Sequence, residues 1–169
     1  TMMSAEGAIR PVYEVMAESG ASFDPDAYIG SVKGYYTTTD GDMLSLPFNS
    51  FTPVLWVNRD AFEAAGVDPD TDLSTWEKVG DVLEQLKAGR EDCPLVTAWQ
   101  SWIHLENMSA YHDVPFASQD NGFAGLDTEL MLNGPAQVAH LTAMGDWAKD
   151  GKFRYTGPRN EGRANFRLG

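Results

Sequence analysis

Between Thr75 and Ala88 the chain carries Trp76, Val79, Val82, Leu83 and Leu86, spaced so that all five fall on one stripe of a 3.6-residue helix. Ser74 and Glu77 have the spacing of a capping box, which satisfies orphan N–H groups at a helix start. Gly89 suits the left-handed residue that follows a helix end. A helix with one apolar stripe must bury it, so the rest of the chain has to supply a second layer.

Extended segments are the candidates for that layer. Met43 to Phe48 and Thr52 to Val57 read as two strands around Asn49-Ser50-Phe51, and Pro47 and Pro53 direct them to edge or crossover positions. A short apolar strand runs from Pro94 to Ala98. Helical spacing recurs in Ser4 to Ala17, through Ile9, Val12, Tyr13 and Met16; Pro11 delays or kinks this helix and Gly20 stops it. A second helix begins near Trp102 and holds Ile103, Leu105, Met108 and Tyr111. A third opens on Pro135, uses Val138, Leu141 and Trp147, and stops at Gly151. Strands alternating with helices predict an α/β fold. A length of 169 residues suits one domain or one lobe of a larger protein. Arg163 to Gly169 stops in mid-pattern, which predicts a truncated chain that self-associates or leaves its ends disordered.

Composition removes several classes. A hydrophobic fraction of 43% with 11% aromatics is that of a chain with a core. No apolar run approaches the roughly 20 residues that cross a bilayer. Thr1 to Glu6 has no basic stretch leading into an apolar one, so it is not a signal peptide, and this says nothing about export. The net charge of −13 argues against binding nucleic acid through phosphates. The six cations from Lys149 to Arg167 read as a solvated tail. Cys93, the single cysteine, excludes an internal disulfide and reads as a small buried apolar residue. His104, His112 and His140 are too scattered for a zinc site, and Asp68, Asp70 and Asp72 lack the glycine and distal glutamate of a calcium loop.

Catalytic patterns are missing too: no nucleophile elbow, Walker loop, dinucleotide fingerprint or His-Glu-x-x-His helix occurs. Glu106 with Asp113 or Asp120 could form the carboxylate pair of a glycan-active enzyme, though chance pairs are abundant in so acidic a chain. The remaining cluster is Ala98-Trp99-Gln100-Ser101-Trp102. Aromatic rings at a strand end make a wall for the C–H faces of a polyol or sugar, or else both tryptophans are core.

The stretch from Pro47 through Asn58-Arg59-Asp60-Ala61-Phe62, the Gly66 to Pro69 loop and Thr75-Trp76 resembles, in order and spacing, the family 1 extracellular solute-binding proteins. Gly7 to Met16, Trp99-Gln100-Ser101-Trp102, Leu105-Glu106-Asn107 and Pro115-Phe116-Ala117-Ser118 running into Asn121-Gly122-Phe123 are similar to its glycerol-3-phosphate-binding branch. The resemblance covers nearly the whole chain but a middle portion of the family's protein. It implies part of a two-lobe periplasmic fold, with residues 1–52 ending the first lobe and crossing over, and 53–169 forming an incomplete second lobe. It further implies a periplasmic binding subunit, not an enzyme, that closes on sn-glycerol-3-phosphate or a glycerophosphodiester and docks on an inner-membrane ABC permease, without a cofactor. Another sugar or polyol is the alternative ligand. By resemblance, Trp99 and Trp102 line the glycerol end of the ligand, and the Asn49-Ser50 corner presents a hydroxyl and backbone N–H groups to it. Phe51 departs from the family pattern, which has a second serine there; a lost hydrogen bond in a closed site costs on the order of 1–3 kcal/mol.

Overall fold

The computed structural model describes residues 7–38, 40–89 and 93–168, so Ser4 to Glu6 of the expected first helix lie outside the described residues. The chain divides into two compact units, Thr1–Thr52 with Ala117–Met131, and Pro53–Phe116 with Leu132–Gly169.

In the first unit, α1 (Val12–Ser19) starts directly after Pro11 and ends on Gly20, whose φ of 65° is left-handed. Two of the N–H groups that a helix start leaves orphaned reach the chain that folds back beside it: Val12 N–H donates to Leu44 O at 3.0 Å and Tyr13 N–H to Met43 O at 3.2 Å. Met43 is almost fully buried and bridges Thr37 in antiparallel fashion. A single turn, Pro25–Ala27, is capped by Asp24 and leads to α2 (Gly30–Tyr35). The expected strands Met43 to Phe48 and Thr52 to Val57 are not formed; apart from the Met43 bridge and the Leu44 backbone bonds to Tyr36 and Val12, neither run joins a ladder among the described residues. Pro47 and Pro53 each remove a ladder donor, and Phe48, Phe51, Val54 and Trp56 project into solvent. Farther along, Gln119, Asp120 and Asn121 make a left-handed turn with φ between 50° and 57°, a conformation that costs roughly 1–2 kcal/mol per residue. The Ala117 N–H bond to Asn121 Oδ1 and the Ala117–Leu130 bridge hold it.

The second unit holds the expected amphipathic helix, α4 (Trp76–Gly89), preceded by α3 (Arg59–Ala64), which Asn58 caps through the Ala61 N–H. Val79, Val82, Leu83 and Leu86 are buried with Phe62 and Val67, and Trp76 packs against that core. Two details differ from the sequence reading. Thr75, not Ser74, caps α4, its hydroxyl accepting from Lys78 N–H at 3.3 Å, while Ser74 N–H is engaged by Asp72. Gly89 is the last helical residue and is not left-handed. It is required for space, since a β-carbon there would lie 2.9 Å from Ala65 Cβ.

From α4 the chain reaches β1 (Leu95–Val96), then a π-helical segment Trp102–Asn107 that continues into α5 (Met108–Tyr111). After α6 (Pro135–Lys149), β2 (Phe153–Arg154) pairs parallel to β1, Leu95 opposite Phe153, and α7 (Glu161–Leu168) follows. This is the α/β arrangement that the alternation predicts, with a crossover between parallel strands. The face of α6 differs from expectation. Gln137, His140 and Met144 are buried, whereas Val138 and Leu141 are about half exposed. The tail cations are also not uniformly solvated: Lys152 is buried and paired with Glu84 and Asp150. Cys93 is half-buried, its thiol 3.0 Å from Leu95 O.

Two glycines therefore have opposite expected responses to alanine. Gly145, with nothing within 4 Å of a built β-carbon, gains about 0.5–1 kcal/mol from better helix propensity on Gly145→Ala. Gly89→Ala has the same propensity gain but collides with Ala65 backbone and side chain, so a net loss of about 1–2 kcal/mol is expected. Urea denaturation of the two variants measures both signs.

Candidate functional site

Trp99 stands where β1 ends, with its backbone in the left-handed region at φ 48°. A non-glycine residue holds that conformation only when its surroundings over-determine it. Here its N–H donates to Arg159 O at 3.1 Å, and its carbonyl accepts from Ile103 N–H at 2.9 Å. Its indole Nε1–H donates to Asn160 Oδ1 at 3.0 Å. The ring is fixed at its edge while the residue is 44% exposed, so it is not enclosed by its own unit. Trp102, half-buried, opens the π-helical segment, and its carbonyl accepts from Asn107 Nδ2 at 2.9 Å.

The same unit holds a polar cluster that no residue spacing announces. His104, from the π-helical segment, and His140, from α6, are both buried and stacked, with 3.0 Å between His104 Nδ1 and His140 Nε2. His104 Nε2 is 2.9 Å from Thr97 Oγ1, and Thr97 Oγ1 can donate onward to Ala98 O. One set of tautomers satisfies every bond: His140 Nε2–H to His104 Nδ1, then His104 Nε2–H to Thr97. Trp76 covers both rings, its centroid 5.7 Å from His104 and 4.7 Å from His140. Burial, and then the neighbouring His140, pushes the His104 pKa down to about 4. Burial also lowers His140, with His112 adding to it. Histidines 36 residues apart carry no spacing signal for such a contact.

Asn49, Ser50 and Phe51 lie in the first unit and are exposed, Phe51 strongly so. Trp99 and Trp102 lie in the second. Of the carboxylates considered for glycan chemistry, Glu106 and Asp113 are exposed in the second unit and Asp120 belongs to the first. Among the described residues no group of three or more His, Cys, Asp or Glu could hold a metal ion. No described helix is long and apolar enough to cross a membrane. A partly exposed indole with an engaged N–H can offer apolar packing to a ligand.

Comparison with known proteins places the chain in a family. Residues 1–164 match the model of the bacterial extracellular solute-binding protein family. The chain is 44% identical over 167 residues to the sn-glycerol-3-phosphate-binding periplasmic protein UgpB of Salmonella typhimurium, covering 98% of this chain and 38% of that protein. The UgpB of Escherichia coli gives the same identity and coverage, 44%, 98% and 38%. The chain thus spans under two-fifths of the length of these curated relatives.

The histidine pair makes stability depend on pH. The unfolded chain takes up a proton at His104 near the ordinary value of 6.5, the folded chain only near 4. The contribution is therefore fully present above about pH 6.5 and is lost as pH falls toward about 4, some ~3 kcal/mol for His104. Urea midpoints measured from neutral pH down to about pH 4.5 should fall, and His104→Asn should flatten that slope.

Proposed function

Because the chain belongs to the bacterial extracellular solute-binding proteins, we propose that it captures sn-glycerol-3-phosphate, or a glycerophosphodiester, and delivers it to an inner-membrane ABC permease. Its location is periplasmic, the compartment named for its UgpB relatives. The observation that carries the reading is Trp99, an indole anchored through its N–H to Asn160 yet 44% exposed. In this role the glycerol C–H groups pack on Trp99 and, beside it, Trp102, while the Asn49-Ser50 corner supplies hydrogen bonds and Phe51 limits the ligand by bulk rather than by a hydroxyl. Residues 1–52 end one lobe and carry the crossover, and 53–169 supply the other apart from 117–131, which group with the first unit. Closure is then a population shift, because a ligand touching both lobes binds the closed form better.

No bond is made or broken in this scheme, so the protein is not an enzyme. The exposed Phe48, Phe51, Val54, Leu55 and Trp56 would lead the 169-residue chain alone to self-associate. Phe51 is the reason to keep glycerophosphodiesters beside the monoester, since its side chain donates no hydrogen bond.

Calorimetric titration with sn-glycerol-3-phosphate, glycerophosphocholine and maltose distinguishes these ligands. Binding of one of the first two is expected, weakened about 30-fold or more by Trp99→Ala. Heat with maltose alone would transfer the reading to a sugar carrier, and turnover of a glycoside lost in Glu106→Gln would replace it with an enzyme.

A further inference from the structure

Trp99 is held from a point remote in sequence. Asn160, 61 residues away, accepts the indole N–H, and the adjacent Arg159 carbonyl accepts the Trp99 backbone N–H. The segment making both bonds is itself fixed at two places. Arg159 N–H donates to Glu161 Oε2 at 2.8 Å, turning the chain into α7. At the first turn of α7, buried Gly162 lies flat on the end of β1: a β-carbon there would overlap the Thr97 carbonyl, with Thr97 C only 2.8 Å away. Thr97 is also the residue that the His104 ring engages, two positions before Trp99. The strand end carrying Trp99 is thus clamped between the histidine on one side and α7 on the other.

We propose that Asn160 is a positioning residue for the ligand site, a latch that fixes the rotation of the Trp99 ring, with Gly162 permitting the close approach that brings it into reach. This inference rests on the reading of Trp99 as a ligand wall. An indole N–H left without a partner at this edge would let the ring turn about its side-chain bonds, and a flat wall serves a small polyol only if its orientation is set before the ligand arrives. Asn160 touches the ring edge, so its effect on binding runs through Trp99.

Two readouts test this on the intact protein. The first needs no ligand. Trp99→Phe identifies the Trp99 indole N–H resonance among the five tryptophans. Asn160→Ala should shift that resonance and speed its exchange with water while leaving the other indoles in place. Asn160→Asp, which keeps an acceptor, should restore the slow exchange. The second is a binding cycle with sn-glycerol-3-phosphate as probe. Asn160→Ala is expected to weaken binding about three- to tenfold in the wild-type background and to have no effect in a Trp99→Phe background, where there is no N–H to hold.

Equal weakening in both backgrounds would overturn the latch, as would an unmoved indole resonance, and either would leave Trp99 as a ligand wall. A shifted resonance with unchanged affinity in Trp99→Ala would instead remove the wall reading and with it any role of Asn160 in binding. Gly162→Val provides a second variant: it should lift α7 from β1 and reproduce the exchange phenotype of Asn160→Ala with Asn160 still present. A Gly162→Val protein with an unaltered Trp99 indole would contradict the clamp.

Discussion

The second unit depends on where the partly buried Trp76 packs. On one side it continues the apolar stripe of α4 and packs on the core formed with Phe62 and Val67. On its other side it lies over His104 and His140, which join the π-helical segment to α6. Two imidazoles in such a place would each cost several kcal/mol if their polar atoms were unpaired. They bond to one another and to Thr97, so the cost is met within the cluster and the strand end is drawn into it. A purely apolar contact could close the core, but it would not fix the direction of the chain leaving β1.

That direction matters because the chain leads directly to the exposed Trp99 and the half-buried Trp102. Trp99 takes a left-handed backbone that a bulky residue adopts only under constraint. The constraint is visible as Arg159 and Asn160 bonded to its backbone and ring, with α7 seated against Thr97 through Gly162. Core, polar pair, strand end and aromatic ring form one continuous chain of contacts.

Much of this was legible in the sequence where an element depends on its own residues. The α4 stripe, the Pro135 start of α6 and the late start of α1 after Pro11 all follow from local chemistry. What failed depended on neighbours. Gly89 has the composition of a left-handed helix end, yet it is needed to clear Ala65. On α6, periodicity favoured Val138 and Leu141, but the buried face carries Gln137 and His140, whose partners come from elsewhere in the chain. Extended residues from Met43 to Val57 have strand composition and find no ladder beyond Met43. For the candidate site, Trp99 and Trp102 were apparent as an aromatic cluster at a strand end. Asn160 and Gly162 were not, because an asparagine and a glycine in an irregular stretch have many uses and only the fold brings them to Trp99.

The most direct test of the account is a crystal structure of the intact protein grown with sn-glycerol-3-phosphate. The glycerol carbons should lie against the Trp99 ring, within about 4 Å of its face, with the indole N–H still on Asn160. A ligand bound elsewhere, or a Trp99 ring covered by protein in the closed form, would contradict it.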